Sequence, residues 1–563
     1  MKRLLLMFFI CILHASVFAQ QAPNENNIES FIRQFLESHN PEEKPKIGEN
    51  ELFSSVVIHR FYGERNFEPA WVKNNILPEI AYEMRYEIGQ AKFDGLNPDD
   101  YHFQSINAYF DRFEEAKKSG KVLAANELSA VDVLLTDAYI MLSSHLFLGK
   151  VNPESLKTTW NIQRNVPELM IDRQLGAAIQ SGSLRSTIEG YYPAFSIYKK
   201  MRDGLRQLFD EQKRFENEPI AGWKNLKIDK SIKPGETHNQ MSEIRDRLYF
   251  WGFLKPYQPV DEKSYDSLMM DGIKIIQKRF GMEPDGVIGK GTIQALNQKP
   301  IDMISTASVN LERLRWMPDT IKDIELILVN TANFQLDFIQ KRDTVLSSKV
   351  IVGKSYHSTP QFSALMSYIV FSPTWTVPTS ITRNEIVPKI KKDPRYLAKN
   401  NMVLLNSSGG KVDPSSIDWG RVSARSFPYT VRQEPGDHNS LGLVKFMFPN
   451  KNSVYIHDTP SRNLFEREDR ALSHGCIRIQ KPFEFAKILL ANQPNWTNEK
   501  ITTAMHQSRE QIVNLDRKIP VALIYLTYWA DSRGNLYFRN DIYNRDAEIF
   551  NALRVARIKK SGI

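Results

Sequence analysis

Residues 454–479 read VYIHDTPSRNLFEREDRALSHGCIRI, and this stretch decides how the C-terminal half of the chain is interpreted. An apolar run that predicts a strand ends at His457, and Cys476 follows directly after a His-Gly pair. A cysteine nucleophile needs thiolate character, which a histidine in hydrogen-bond reach supplies as a base or as an ion-pair partner. Gly475 lets the backbone approach a substrate, so that successive N–H groups can hold an oxyanion. The stretch therefore predicts acyl transfer by a cysteine at the edge of a β-sheet.

Other kinds of site use the same residue types. His457, Asp458, His474 and Cys476 are all of zinc-ligand type, but no close pair such as Cys-x2-Cys or His-x3-His accompanies them, so no metal is predicted. A sortase would carry a Thr-Leu-x-Thr-Cys-like string around its cysteine, which this chain lacks. A papain-like protease would place its cysteine early and its histidine late, the reverse of the order here.

The sequence around this stretch is rich in β-branched and aromatic residues. Short runs, several of them alternating with period two, predict a mainly β domain over residues 320–503. Within it, residues 379–440 contain Gly-Gly, Asp-Pro and Glu-Pro-Gly-Asp strings, and part of this range is predicted to form a flexible flap over the site. Residues 504–563 predict a C-terminal extension with one long strand at 521–530 and a basic amphipathic helix.

The N-terminal half has helical periodicity instead. Apolar residues recur at helical spacing through 51–225, which predicts a helical scaffold domain. The polar, proline-punctuated residues 20–50 predict a linker with one short helix around 28–36. Residues 235–300 predict three helices, and their string FG…PDGVIG…T..ALN resembles the small peptidoglycan-binding module of many wall enzymes. A plain three-helix spacer is the alternative.

The first residues predict export. A basic start, an apolar run at 4–13 and small residues up to Ala19 are typical of a secretory signal peptide at 1–19, and the run is too short to span a bilayer. Cys11 leaves with this segment, so Cys476 is the one thiol of the mature chain. No later stretch reaches about 18 uninterrupted apolar residues, so no membrane segment is predicted in the mature protein.

Length and composition limit the remaining choices. The 563 residues predict three or four domains at about 150 residues each. A hydrophobic share of 42% excludes general disorder, and two cysteines exclude a disulfide scaffold. The net charge of +9 is modest and diffusely spread, so nucleic acid is not a predicted partner.

The string His-x15-Ser-His-Gly-Cys-Ile-Arg, preceded by GLVKFMFP at 442–449, resembles the catalytic signature of the L,D-transpeptidases with a YkuD-type domain. Further matches are RLRWMP at 313–318, PTWTVP at 373–378, TYWAD at 527–531 and DIY at 541–543. These fit the large branch of the family. The resemblance implies an α+β multidomain protein with a helical scaffold, a three-helix peptidoglycan-binding module and a mainly β catalytic domain.

The same resemblance implies a reaction. Cys476 would attack the carbonyl of the third, diamino-acid residue of a tetrapeptide stem and expel the terminal D-Ala. The thioester would then pass to the side-chain amine of another stem, giving a 3→3 cross-link. His457 would act as base and later as acid, and Asp458 would orient it through its main-chain carbonyl.

The resemblance also suggests the residues around this pair. The N–H groups of Gly475 and Cys476, with His474 as a further donor, would form the oxyanion hole. The candidates for shaping the substrate pocket are Ser473, Tyr455, Trp375 and Arg478. Many smaller family members carry asparagine at the position of Arg478, so binding substrate and holding the Cys476 loop are both open roles for it.

The resemblance implies peptidoglycan as the partner and no cofactor. The signal peptide and the resemblance together imply the periplasm.

Two alternative functions stay open. An L,D-carboxypeptidase would use the same cysteine but give the acyl group to water. A non-catalytic wall-binding protein would use the module at 235–300 and carry a catalytic domain that has lost its activity, which the intact His457 and Cys476 disfavour.

Overall fold

A computed structural model describes residues 27–156, 162, 169–217, 223–318, 325–423 and 426–555. The predicted signal peptide lies outside these residues, as does the end of the chain from 556. The N-terminal part is helical, as predicted. Its elements are α1 (Ile28–Glu37), β1 (Lys46–Ile47), β2 (Asn50–Glu51), α2 (Ser55–Glu64), α3 (Glu79–Gln90), α4 (Phe103–Lys118), α5 (Ala125–Leu148), α6 (Ile171–Ser181), α7 (Leu184–Glu189) and α8 (Ser196–Asn217).

Helix α5 is the centre of this helical domain. It is long and apolar enough to cross a membrane by length and composition, but 94% of its most apolar window is buried inside the protein. Helices α1, α2, α3, α4 and α6 all pack against it. A helix that is apolar on all sides is expected at the middle of a helical core.

Helix α1 corrects the predicted linker at 20–50. The short helix expected around 28–36 forms, but its stripe of Ile28, Ile32 and Leu36 is buried in the core of the helical domain. The spacing of four residues places these side chains on one face, which packs against α5. From residue 28 onward, the chain therefore belongs to the helical domain rather than to a linker.

The three-helix module follows. Its helices are α9 (Met241–Phe250), α10 (Ser267–Arg279) and α11 (Lys290–Leu296), and α12 (Pro300–Arg315) continues from them. Helix α12 packs against α8, and Glu312 accepts a hydrogen bond from the Val151 N–H at 2.7 Å. Its other oxygen holds the buried guanidinium of Arg315 at 2.6 Å. The bond between Glu312 and Val151 therefore ties α12 to the helical domain.

The β-rich domain begins with four strands and then a small subdomain. The strands are β3 (Glu325–Asn330), β4 (Gln335–Gln340), β5 (Asp343–Gly353) and β6 (Phe362–Phe371). We call residues 375–433 the cap; it holds β7 (Trp375–Thr376), α13 (Thr379–Ile381), a π-helical turn (Thr382–Ile386), α14 (Val387–Lys392), α15 (Tyr396–Lys399), β8 (Met402–Leu405), β9 (Lys411–Val412) and β10 (Thr430–Gln433). The cap has its own four-stranded sheet and its own apolar core around Ile390, Leu404 and Val431. The region predicted as a flap is thus largely a folded subdomain.

The chain then returns to the main sheet. The remaining elements are β11 (Val444–Met447), β12 (Ile456–His457), β13 (Ala471–Ser473), β14 (Ile477–Ile479), α16 (Pro482–Leu489), α17 (Asn498–Met505), β15 (Gln511–Ile524), β16 (Tyr528–Ala530), β17 (Leu536–Phe538) and α18 (Asp546–Leu553). The nine-stranded sheet has the order β13-β5-β14-β12-β11-β6-β15-β3-β4. An additional pairing of β4 with β5 closes it on itself. The predicted α+β multidomain class, with a helical N-terminal part and a mainly β domain, is confirmed.

Strand β15 corrects the predicted C-terminal extension. It lies inside the main sheet, antiparallel to β6 and parallel to β3, rather than outside the β domain. It also starts at Gln511 and ends at Ile524, whereas the sequence pattern predicts a strand at 521–530. Its first half is more polar than its second half and mostly exposed, so the side-chain pattern does not reveal it. Backbone pairing with β6 holds that half in the sheet.

Candidate active site

The register of two short strands brings the predicted residues together. β12 and β14 run parallel, with Ile456 opposite Ile477 and His457 opposite Arg478. Ile456 and Ile477 are completely buried in the sheet core. Because side chains alternate along a strand, their chain neighbours lie on the other face. Those neighbours are Tyr455, His457, Cys476 and Arg478.

This face forms one wall of a cavity of about 560 Å³, and the cap forms the opposite wall. The sheet contributes the four side chains just named, together with Ser473 and His474 of the loop before Cys476. The cap contributes Trp375, Glu385, Lys389 and Tyr396. Every side chain predicted from sequence to shape the pocket therefore lines a single cavity.

His457 is buried and held through its Nδ1 atom. That nitrogen lies 2.6 Å from the main-chain oxygen of Asp458. A carbonyl only accepts, so Nδ1 carries the proton, and in a neutral ring Nε2 keeps a lone pair. Burial, with the positive charge of Arg478, lowers the pKa of His457 to about 3. The imidazole is therefore neutral near pH 7, and its Nε2 atom carries no proton.

The Asp458 main chain is itself fixed by its carboxylate. One oxygen accepts from the Leu443 N–H at 2.9 Å, and the other from the Thr459 N–H at 2.7 Å and from Arg462 at 2.5 Å. Gly442 packs directly against this carboxylate with φ +61°. A side chain at Gly442 would overlap the carboxyl group, so glycine is required there for both conformation and space.

Cys476 is half-buried, and its thiol makes a hydrogen bond to Ser453 rather than to the imidazole of His457. Sγ lies 3.8 Å from the carbonyl oxygen of Ser453, to which the thiol donates weakly. Burial raises the pKa of the thiol, while Tyr455 and Arg478 act in the opposite direction. The resting pair is thus a thiol and a neutral imidazole that share a cavity. The sequence suggested a direct hydrogen bond between Cys476 and His457, but the thiol bonds to Ser453 instead. Catalytic hydrogen bonds often tighten only when substrate binds.

The loop before Cys476 is held by hydrogen bonds that sequence did not reveal. The Gly475 N–H donates to Ser473 Oγ at 3.1 Å, and Ser473 Oγ donates to the Cys476 carbonyl at 2.6 Å. The predicted oxyanion donor of Gly475 is therefore already engaged, and Ser473 holds the loop. Within the described residues, the N–H groups of His474 and Cys476 have no hydrogen-bond partner.

Two further residues support the same loop from a distance. Thr359 is buried; its hydroxyl donates to the Gly475 carbonyl at 2.9 Å and accepts from the Gly353 N–H at 3.0 Å. The Tyr543 hydroxyl donates to the Gly353 carbonyl at 2.6 Å. Tyr543 lies in the tail string DIY that the sequence marks, whereas Thr359, more than 100 positions before Cys476, carries no signal.

Arg478 is a cation of the cavity that has no anionic partner among the described residues. It is partly buried and lines the cavity beside Cys476. Its Nε atom is buried and has no hydrogen-bond partner among the residues described. Burial lowers the pKa of the guanidinium, which still remains charged at pH 7 because arginine titrates so high. A desolvated cation without a protein anion is suited to bind the anionic group of a ligand.

Two of the four side chains of zinc-ligand type are engaged by other partners. The Asp458 carboxylate is occupied by two N–H groups and Arg462, and His474 Nε2 lies 2.7 Å from Glu385 of the cap. Within the part of the chain that the structure describes, no group of three or more His, Cys, Asp or Glu side chains converges on a metal position.

Family models match three parts of the chain. Residues 57–205 match a "Scaffold domain", residues 237–296 a "Putative peptidoglycan binding domain", and residues 324–500 the "L,D-transpeptidase catalytic domain". Domains of the last two kinds act on peptidoglycan, which indicates a location outside the cytoplasm.

Similar proteins carry related names. A Haemophilus influenzae protein named "Putative L,D-transpeptidase" is 36% identical over 319 residues, which is 56% of this chain. The chain spans 64% of the length of that relative. Crystal structures of L,D-transpeptidases from Xylanimonas cellulosilytica and Stackebrandtia nassauensis are each 12% identical, with TM-scores of 0.16 and 0.19. They cover 53% and 52% of this chain, and 100% and 94% of their own chains.

Proposed function

We propose that this chain, whose residues 324–500 belong to the L,D-transpeptidase catalytic-domain family, forms 3→3 cross-links in peptidoglycan through a thioester at Cys476. One observation carries the proposal: the thiol of Cys476, the neutral imidazole of His457 and the unpaired guanidinium of Arg478 face one capped cavity. A nucleophile, a base and an anion site are what attack on an anionic peptide requires.

In the first half-reaction, the Cys476 sulfur attacks the carbonyl of the third stem residue, and the lone pair of His457 takes the thiol proton. The C–S bond forms, and the carbonyl oxygen becomes an oxyanion. The N–H groups of Cys476 and His474 are the donors left to hold that oxyanion, each worth roughly 3 kcal/mol in acyl transfer. His457 then gives its proton to the departing amine of D-Ala, and the C–N bond breaks.

Arg478 supplies the binding contact in this proposal. A tetrapeptide stem is anionic, and its terminal carboxylate lies next to the bond that Cys476 breaks. Arg478 is two residues after Cys476 on the same face of the sheet. A bidentate pair between guanidinium and carboxylate would therefore place the scissile carbonyl near the sulfur.

The cap favours transfer over hydrolysis. Cap residues such as Trp375 and Tyr396 line the cavity that holds the sulfur, so they would limit the water that reaches a thioester. An L,D-carboxypeptidase needs that water, so transpeptidation is the better fit to a covered site.

The remaining parts of the chain fit a wall enzyme. The module at 237–296 would hold the protein on peptidoglycan, and its junction with the β-rich domain is packed, since Phe280 stacks on Phe538. The signal peptide predicted at 1–19 would direct the chain to the periplasm.

The test is incubation of the mature chain with isolated sacculi, followed by muropeptide analysis. The proposal expects 3→3 dimers and free D-Ala, and neither product with Cys476→Ala. A carbapenem should add its mass to Cys476 of the parent protein. Dimers that persist with Cys476→Ala would overturn the mechanism.

A further inference from the structure

We propose that Glu385 of the cap, together with His474, is the binding site for the amine of the acceptor strand. The inference rests on the proposed transpeptidation and names the second substrate's contact. An amine that attacks a thioester arrives in water as an ammonium ion, so its site requires a negative charge close to the sulfur.

Glu385 is placed to supply that charge. Among the described residues that line the cavity, it is the sole carboxylate. Its Oε1 atom lies 2.7 Å from Nε2 of His474. Its side chain is 40% exposed, and its second oxygen has no hydrogen-bond partner within the described chain. That oxygen is therefore available to a ligand in the cavity.

The two charged groups lie on opposite sides of the nucleophile along the chain. His474, which holds Glu385, is two residues before Cys476, and Arg478 is two residues after it. The donor is anionic and the acceptor group is cationic, so the cavity offers each of them a side chain of opposite charge, Arg478 and Glu385. Lys389 lines the same wall, but its ammonium lies over the Tyr396 ring, 5.6 Å from the ring centre.

A π-helical turn presents Glu385. Residues Thr382–Ile386 form this turn inside an otherwise α-helical stretch of the cap. Such turns are rare and occur frequently at functional sites, because the extra residue redirects a side chain. Here the redirected side chain reaches across the cavity to the loop of the nucleophile.

The step balances without a further reactant. The ammonium gives one proton to the Glu385–His474 pair and becomes a free amine. Its nitrogen attacks the thioester carbonyl, so a C–N bond forms and the C–S bond breaks. The second proton leaves the nitrogen through His457 and ends on the Cys476 sulfur, which restores the thiol.

The experiment compares the mature parent chain with Glu385→Gln, using purified disaccharide-tetrapeptide as donor and acceptor. Glutamine keeps the size and an acceptor oxygen for His474 but removes the charge. The ratio of 3→3 dimer to hydrolysed tripeptide should fall about tenfold, the scale on which loss of one charged hydrogen bond changes binding. Asp418→Asn, an exposed cap acid paired with Arg421 outside the cavity, is the control and should keep the parent ratio.

A second nucleophile separates binding of charge from a role in cap closure. Hydroxylamine is uncharged at neutral pH, so Glu385→Gln should still transfer the acyl group to it at the rate of the parent chain. An unchanged dimer ratio would overturn the inference. Equal losses with hydroxylamine and with the stem amine would also overturn it, because a structural role of Glu385 predicts that result. If the parent chain forms no thioester at all, the proposed function itself fails.

Discussion

Replacing Gly442 by alanine tests how the fold holds the base. Gly442 has φ +61°, and a Cβ there would lie 2.5 Å from Cβ of Asp458 and overlap its carboxyl group. The left-handed conformation costs a non-glycine residue about 1–2 kcal/mol, and overpacking costs about 1–3 kcal/mol more. We therefore expect Gly442→Ala to lower the free energy of unfolding by roughly 2–5 kcal/mol.

The substitution should also lower activity. Asp458 holds Nδ1 of His457 through its carbonyl, so displacement of Asp458 turns the imidazole. A misplacement of about 1 Å can cost about 100-fold in rate, which is the loss we expect in the rate of Cys476 acylation by a carbapenem. Stopped-flow or mass-spectrometric time courses measure that rate.

Gly409 offers a matched control in the same domain. It has φ +82°, and a Cβ added there would meet no atom within 4 Å. Gly409→Ala should therefore lose only the conformational contribution, about 1–2 kcal/mol, and should keep its acylation rate. Equal effects of the two substitutions on stability and on rate would refute the assignment of Asp458 as the support of His457.

Three further perturbations probe other parts of the site. Arg478→Gln should raise the donor KM about 10- to 100-fold in steady-state assays, and Arg478→Lys should recover part of the lost affinity. An unchanged KM would contradict the contact between Arg478 and the donor carboxylate. The pKa of His457 is about 3 in the folded chain, against an ordinary value of 6.5. The neutral imidazole therefore contributes its full stabilisation above pH 6.5. Between pH 6.5 and pH 3, the free energy of unfolding should fall by up to about 1.4 kcal/mol for each pH unit. Denaturation across this pH range should show that contribution to the slope in the parent chain and its absence with His457→Gln. Identical slopes in the two proteins would contradict the lowered pKa of His457. Thr359→Val should lower kcat with little change in KM, because the hydroxyl positions the Gly475 carbonyl. Thr359→Ser should restore kcat. A loss of kcat that serine does not restore would contradict this role.

The chemistry of the site followed from sequence because it is local. Alternation around Ile456 and Ile477 turns His457 and Cys476 away from the core, and the parallel pairing of β12 with β14 then puts them on one face. The stripe of Ile28, Ile32 and Leu36 likewise gave a helix. Its burial was not predicted, because the surrounding polar residues suggested a linker.

The features that the sequence did not predict depend on contacts between distant parts of the chain. Glu385 reaches His474 from 89 positions away, and no local pattern signals that bond. The polar half of β15 belongs to the sheet through backbone pairing with β6, which side-chain periodicity does not report. Local pattern therefore gave the reacting residues, and tertiary packing determined their partners.

Intact-protein mass spectrometry of the mature chain mixed with disaccharide-tetrapeptide examines the thioester itself. We expect a transient adduct whose mass is that of the donor less alanine, located by peptide mapping on Cys476 and absent from Cys476→Ala. With His457→Gln, the adduct should form at least about 100-fold more slowly, since general-base catalysis contributes on that scale. An adduct on another residue, or formation at the parent rate without the imidazole, would contradict the assignment of this pair.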